Sequence, residues 1–511
     1  MLPAAILLAA VTQAAVTPAA IVTPAPAGSP WSAERVVALR RDLDALLGGA
    51  GLRGAHVGVY AIDATTGAPL YAHNAGDDFQ PASTLKLLVG SAALERLRPG
   101  YRFRTTADAE AADGQTQRLV LRGGGDPFLS VADLDAAAAA AAKAGPYLFG
   151  TQWLADDSHF DRRPYPEGWT WDDFPEDYAA RISAVTFEEN VLHVHVTPGS
   201  SAGAPAQATS QPVDDVERPS TTSPVDQCYD ASTVRVAATT GAAGSESTLD
   251  VMRSLGNCNV LVGSIPLDSP GETVDVAVKD PPGYAAAYLA RRSRELLHSP
   301  GASQRSDATR SDVTGAAVTS FAGNGLPVGS VFWTHDSEPL REWLGPLFWI
   351  PSDNLVAETL LKELGFATGG KPGTTDKGIA YEKTWLQGIG VDPATVTLAD
   401  GSGLSQYDRI TPRDLVAILA HDWSGPNREL ILASLPVGGA RGTIEGIAGT
   451  PAAGRVFAKT GSMSHVRGLA GYLAPRRHGA VIFAFSVDDW IGRYPALAAV
   501  RAAVLSRIVE D

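Results

Sequence analysis

The sequence predicts a mixed α/β protein of about three domains, one of them small and β-rich. Three observations carry that reading. The chain has 511 residues, whereas single domains run to about 100–200. Helix-spaced and strand-like apolar runs succeed one another along its length. Finally, apolar residues come only in short runs across 227–280. That stretch lies between two segments of loop composition, Pro/Ser/Thr/Ala-rich 198–226 and Ser/Asp/Thr/Gly-rich 298–316. With 45% hydrophobic and 19% charged residues, the composition is that of a globular chain.

Residues 15–31 are Ala/Pro/Thr-rich and read as a lead-in. A helix over 33–47 follows, ended by Gly48-Gly49. Strands at 56–62 and 69–73 flank a turn at 63–67. Over 85–97, Leu85, Leu88, Val89, Ala92 and Leu97 recur at helical spacing until Pro99-Gly100 stops the helix. A strand at 118–121 runs into the glycine turn 123–125, and 133–144 is an alanine-rich helix. The β-rich stretch has runs at 234–238, 260–262 and 274–278, and a helix at 284–297 comes after it. Helices are then expected at 355–364, closed by Gly365, and at 413–421. Strands at 455–460, 469–473 and 480–487 follow, the last two joined by a turn at 476–479. A final helix, 495–509, places Leu497, Val500, Val504 and Ile508 on one face. No period repeats, so a solenoid is excluded.

Fifty-six acidic residues against 41 basic ones give a net charge of −15, which disfavours nucleic acid and anionic lipid as partners. The 41 basic residues comprise 33 arginines and only 8 lysines, so each lysine asks for a reason. Two cysteines, Cys228 and Cys258, are too few for a Cys-rich zinc site or a disulfide framework. Their separation allows one disulfide in an oxidising compartment and two thiols in a reducing one. The apolar run 2–11, followed by small residues with cleavage options near Ala14 or Ala20, has the form of a secretory signal. It lacks the basic residue such signals carry, and a disordered tail or a displaced start codon would look similar. No other stretch approaches the ~20 apolar residues of a membrane helix. Among ten scattered histidines only His193 and His195 are close, without a zinc-binding partner motif, so no metal or other cofactor is implied. The glycines at 123–125 lack the Gly-Lys-Ser/Thr of a phosphate loop.

Three short motifs carry chemistry. In Ser83-Thr84-Leu85-Lys86 the serine and lysine fall at i and i+3, on one helix face. A serine hydroxyl is a weak nucleophile until a base takes its proton, and a lysine with a depressed pKa can do so. Ser352-Asp353-Asn354 precedes a helix, where such residues commonly serve as N-caps. Lys459-Thr460-Gly461 ends a strand. Each alone is unremarkable. Together, in this order, they form the set of the penicillin-recognising serine enzymes, and two of the eight lysines fall within them.

The chain thus resembles the penicillin-binding-protein and serine β-lactamase superfamily. From Ser83 to Ser352 is 352 − 83 = 269 residues, far more than one catalytic domain needs, whereas Ser352 to Lys459 is 459 − 352 = 107. The long insertion is similar to that of the class C low-molecular-mass penicillin-binding proteins, the D-alanyl-D-alanine carboxypeptidase/endopeptidases of peptidase family S13. The stretches 123–127 (GGGDP), 166–173 (PEGWTWDD), 400–405 (DGSGLS) and 459–472 (KTGSMSHVRGLAGY) also resemble that family.

The resemblance implies a β-lactamase/transpeptidase-like α/β sandwich split in sequence, residues 29–100 and 326–511 after a signal-like segment 1–28. A second domain (101–185 and 284–325) would be inserted in it, with a third, β-rich domain (186–283) nested in the second. It implies an exported enzyme, periplasmic or otherwise outside the cytoplasm, that hydrolyses the D-Ala–D-Ala bond of peptidoglycan stem peptides, with cross-link cleavage as a second activity. β-Lactams would acylate it. Ser83 would be the nucleophile and Lys86 its base. Ser352 would relay the proton to the leaving group, and Asn354 would position Lys86 and the substrate amide. Lys459 and Thr460 would take the terminal carboxylate, with Gly461 beside them. The backbone N–H groups of Ser83 and Ser462 would form the oxyanion hole. Asp173, Trp171 and Tyr178 would lie near the peptide's diamino acid, although Trp171 also reads as a core residue. Export would favour a Cys228–Cys258 disulfide.

The chain departs from the family pattern at Gln406 and Ile350, and Ser464 stands at a variable place, which leaves side-chain preference open. A serine β-lactamase, or a D-amino-acid amidase or esterase of the same fold, shares the acylation machinery. A non-catalytic wall-binding protein is the alternative of another class.

Overall fold

The structure, a computed structural model, describes residues 20–25, 28–112, 115–144, 152–212, 216–217, 234–254, 258–297, 329–444, 446–492 and 494–511. At its centre is a five-stranded antiparallel sheet. The strands run in the order Val456–Met463, Val466–Leu473, Val481–Asp488, His56–Asp63 and Pro69–His73. The first strand after the lead-in therefore pairs with the last strand of the chain, His56 opposite Asp488 and Asp63 opposite Val481.

Alternation along His56–Asp63 shows why this sheet needs cover on both faces. Val57, Val59 and Ala61 pack into one apolar cluster and Tyr60 and Ile62 into another. The first cluster is closed by the N-terminal helix Ala33–Leu47, through Leu39 and Leu43, and by the C-terminal helix Tyr494–Glu510, through Leu497, Val504 and Ile508. The second is closed by the helices Lys86–Arg96, Asn354–Gly369 and Pro412–Ser424, through Leu87, Leu88, Leu360, Leu361, Leu415 and Ile418. Burying each such leucine is worth about 1.5–3 kcal/mol relative to exposure. Helix starts follow their capping residues: Ser32 accepts from the N–H of Arg35, and Thr411 from that of Asp414 ahead of the well-tolerated Pro412.

The rest of the chain builds outward from this sandwich. A four-stranded sheet, Ser330–Asp336, Arg104–Ala112, Gln115–Arg122 and Gln152–Asp156, carries the helices Val131–Ala144 and Pro281–Leu297. Among the described residues between them in sequence lie only strands and short 3₁₀ turns: Val191–Thr197 pairs with Glu272–Ala277 and Gln207–Gln211, and short strands between 216 and 266 make two further small sheets. One apolar cluster runs through both inserted parts. The mixed α/β architecture with β-rich insertion is as the sequence predicts.

Several local expectations are corrected. Gln207–Gln211 is a strand inside the segment read as loop, because alternate residues Ala208 and Ser210 are buried against Val191–Thr197. Gly365 does not end its helix, which continues to Gly369; a Cβ there would lie 2.5 Å from the carbonyl oxygen of Thr374, so the glycine serves close packing. The helices Thr375–Gly388 and Arg428–Ser434 and the strand Gln152–Asp156 were not predicted. The glycines at 123 and 124 are explained by close approach, a Cβ falling 1.9 Å from the oxygen of Ala184 or 2.0 Å from that of Arg104.

Cys258 is buried and disulfide-bonded, and Cys228 lies outside the described residues. The segments 1–19 and 298–316 lie outside them too. Among the described residues no helix is long and apolar enough to cross a membrane, and no cluster of His, Cys, Asp and Glu is arranged to hold a metal. His193 instead bonds its cross-strand partner Asp275 at 2.7 Å on an exposed face.

Candidate active site

The three motifs, far apart in sequence, meet at the edge of the central sheet. Ser83 lies in a single 3₁₀ turn, Ala82–Leu85, which runs directly into the helix beginning at Lys86. The i, i+3 spacing brings Lys86 Nζ to 2.9 Å from Ser83 Oγ. Ala82 holds φ +45°, a left-handed conformation that costs a non-glycine residue about 1–3 kcal/mol and survives only where packing enforces it. Two neighbours do so. Gly403, at φ +79°, rests against Ala82 so closely that a Cβ would fall 1.9 Å from the Ala82 oxygen, and a Cβ on Gly461 would fall 2.6 Å from that of Pro81.

Ser352 also has a left-handed backbone, φ +71°, at the end of a π-helical segment Leu344–Trp349. Trp349 of that segment donates its indole N–H to the Lys86 carbonyl at 2.9 Å, in the space that Gly90 leaves open. The second motif caps its helix, as such residues commonly do. Asp353 is the N-cap, accepting from the N–H of Val356 at 2.7 Å, and the residues on either side of it face the site. The third motif lies within its strand and not at its end: Val456–Met463 continues past Gly461 and turns at Ser464-His465 into Val466–Leu473.

Lys86 is fully buried and its ammonium has three acceptors: Ser83 Oγ, Asn354 Oδ1 at 2.6 Å and the Ser402 carbonyl at 2.8 Å. Burial pushes its pKa down to about 8, against the opposing pull of Asp400, Asp353 and Glu358. Lys459, also fully buried, donates to Ser352 Oγ at 2.8 Å and to the Thr460 carbonyl at 3.0 Å. Burial and the nearby Lys86 charge hold its pKa well below the ordinary lysine value. The site thus pairs each serine hydroxyl with a buried lysine whose pKa is held below the ordinary lysine value.

Two cavities are lined by Ser83. One of about 400 Å³ is lined by Ser83, Ser352, Thr460 and Ser462, with Thr443, whose hydroxyl meets that of Thr460 at 2.7 Å, and Arg467. The other, about 600 Å³, runs from Ser83 and Asn354 past Ser462, Ser464 and Gln406 to Thr170, Asp173 and Tyr178 of the inserted segment. Asp173 Oδ1 accepts from the Tyr178 hydroxyl at 3.0 Å. Trp171 is 47% exposed and so is not a core residue; it lies between the cavity-lining Thr170 and Asp173, its indole donating to the Arg253 carbonyl. Sequence reasoning missed Thr170, Thr443, Arg467 and the contribution of Ser402, a backbone carbonyl that no side-chain motif can signal.

The D-Ala-D-Ala carboxypeptidase 3 (S13) family matches residues 39–505 of the chain. A D-alanyl-D-alanine carboxypeptidase of Actinomadura sp. (strain R39) is 35% identical over 505 residues, 95% of this chain and 87% of that one. The carboxypeptidase DacB of Haemophilus influenzae is 24% identical, covering 86% of each. The crystal structure of penicillin-binding protein 4 from H. influenzae superposes with a TM-score of 0.74 at 21% identity, over 92% of this chain and 99% of that one, so the fold is shared. A second structure of that protein, with a bound β-lactam, superposes at 0.67 over 91% and 98% at 21% identity. With the family match spanning the split sandwich, both inserted parts and all three motifs, the chain belongs to the D-Ala-D-Ala carboxypeptidase S13 family.

Proposed function

We propose that this chain is a serine D-alanyl-D-alanine carboxypeptidase, acting on peptidoglycan stem peptides outside the cytoplasm and open to acylation by β-lactams. The observation that carries the reading is the Ser83–Lys86 contact, made by a lysine whose pKa is low enough for part of it to be neutral near pH 7. Neutral Lys86 takes the Ser83 proton as Oγ attacks the carbonyl of the penultimate D-alanine, and the N–H groups of Ser83 and Ser462 receive the oxyanion. Ser352, bonded to Lys459, gives its proton to the departing amine and takes one in turn from the protonated Lys86, so that D-alanine leaves, an ester to Ser83 remains and Lys86 is neutral again. Water then cleaves the ester, Lys86 again accepting the proton. Thr460 and the Lys459 charge receive the terminal carboxylate, while Asp173 and Tyr178 face the ammonium group of a diamino acid side chain. Cleavage of cross-links as an endopeptidase is the second activity of this reading, the larger cavity running on from Ser83 to Thr170, Asp173 and Tyr178.

The test is D-alanine release from diacetyl-Lys-D-Ala-D-Ala by the purified chain and by its Ser83→Ala variant. Release by the former alone is expected. No release, together with no penicillin labelling, would leave the chain a wall-binding protein, and rapid penicillin turnover without D-alanine release would make it a β-lactamase.

A further inference from the structure

Asp400 is fully buried behind the Ser83–Lys86 pair and accepts four hydrogen bonds. Its Oδ1 receives the N–H of Gly403 at 2.6 Å. Its Oδ2 receives the N–H of Ser405 at 2.7 Å, the Ser402 hydroxyl at 3.0 Å and the indole N–H of Trp169 at 2.8 Å. The first three fold the loop 400–405 on itself. That loop presents the Ser402 carbonyl to Lys86 and seats Gly403 on Ala82.

The fourth bond spans 231 positions to the inserted segment. Around it, Ser405 Oγ donates to the Glu167 carbonyl at 2.7 Å and the Gln406 N–H to that of Gly168 at 3.2 Å. Directly after Trp169, Thr170 gives its N–H and hydroxyl to Asp173 Oδ2, at 3.0 and 2.7 Å, and Asp173 holds the Tyr178 hydroxyl. Tyr178 then returns to the catalytic centre: its carbonyl accepts from Asn354 Nδ2 at 2.8 Å, and Asn354 Oδ1 accepts from Lys86. The contacts close a ring from Lys86 through Ser402, Asp400, Trp169, Thr170, Asp173, Tyr178 and Asn354 back to Lys86.

We propose that Asp400 is a positioning residue that fastens the peptide-recognising arm, Thr170 to Tyr178, to the loop that holds Lys86. Three of its bonds serve the base and one serves the arm, so the two effects separate by mutation. The inference rests on the carboxypeptidase reading above. Trp169→Phe keeps an aromatic ring at this buried position and removes the donated N–H together with the five-membered ring that carries it. It is expected to lower kcat/KM for a peptide with a free diamino side chain about tenfold, the worth of one hydrogen bond to a charged group, and to shrink the preference over the side-chain-acetylated peptide, while penicillin acylation changes less than about twofold. Asp400→Asn releases loop and arm together and lowers both reactions about 100-fold, as small misplacements of a catalytic group do. Equal losses of peptide turnover and penicillin acylation in Trp169→Phe, or no loss in either, would overturn the proposal, and this holds even if Asp400→Asn does not fold. An unmodified enzyme that releases no D-alanine would defeat the carboxypeptidase reading instead.

Discussion

Lys86 Nζ and Asn354 Oδ1 lie 2.6 Å apart although 268 positions separate them in the chain. A neutral amide at that distance gives the lysine an acceptor without a counter-charge, and so leaves burial free to depress its pKa. Replacing Asn354 by Asp adds a carboxylate where the ammonium form gains most. The Lys86 pKa should rise by about 1–3 units. Because the neutral amine is the base, the acid limb of the penicillin acylation profile should move to higher pH by the same amount. A profile that stays in place would show that Lys86 is not the titrating group.

In the unmodified enzyme the same reasoning sets the limb itself. Acylation should fall about tenfold per pH unit below about 8, as Lys86 protonates, and level off above that value. Lys86→Ala should lower the acylation rate by about 10²–10⁴-fold and abolish the limb, measured by stopped-flow with a chromogenic β-lactam.

Gly403→Ala tests the packing that holds the nucleophile turn. The added methyl meets both a left-handed φ of +79° and the Ala82 oxygen at 1.9 Å. About 1–3 kcal/mol of stability should be lost, seen as a reduced urea midpoint, and Ser83 acylation should slow along with it. An unchanged acylation rate would mean that this contact does not set the position of Ser83.

Lys362 is a third fully buried lysine, and its ammonium bonds Asp161 at 2.6 Å and the Arg163 carbonyl at 2.7 Å. It fastens the catalytic helix to the inserted segment, and burial lowers its pKa. Asp161→Ala strands a buried charge and should cost about 3 kcal/mol in equilibrium unfolding while leaving penicillin acylation of the folded fraction unchanged. A loss well below 1 kcal/mol would show that the carbonyl alone suffices.

The scarcity of lysine in the sequence pointed to the right kind of question. Lys86 and Lys459 were identified because each belongs to a short motif, and their serine partners came with them. Lys362, just as buried, escaped notice because its partner Asp161 lies 201 positions away with no motif to mark it. The central sandwich was legible wherever local pattern decides: the helix over 33–47 and the strand at 69–73 have the predicted bounds. It was less legible where packing decides. Gly365 reads locally as a stop, yet it sits mid-helix to admit the Thr374 carbonyl. Trp171 was placed by its neighbours in a recognisable stretch, and the side chain turns out instead toward the Arg253 carbonyl. Asp400 was visible only as part of a familiar string, since its four partners converge from two separate segments of the chain.

The most direct test is mass spectrometry of the enzyme and its Ser83→Ala variant after exposure to benzylpenicillin. One intact penicilloyl group on the peptide containing Ser83, absent from the variant, is the predicted result. No adduct, or an adduct on another residue that survives Ser83→Ala, would contradict the assignment of Ser83 and Lys86 as nucleophile and base.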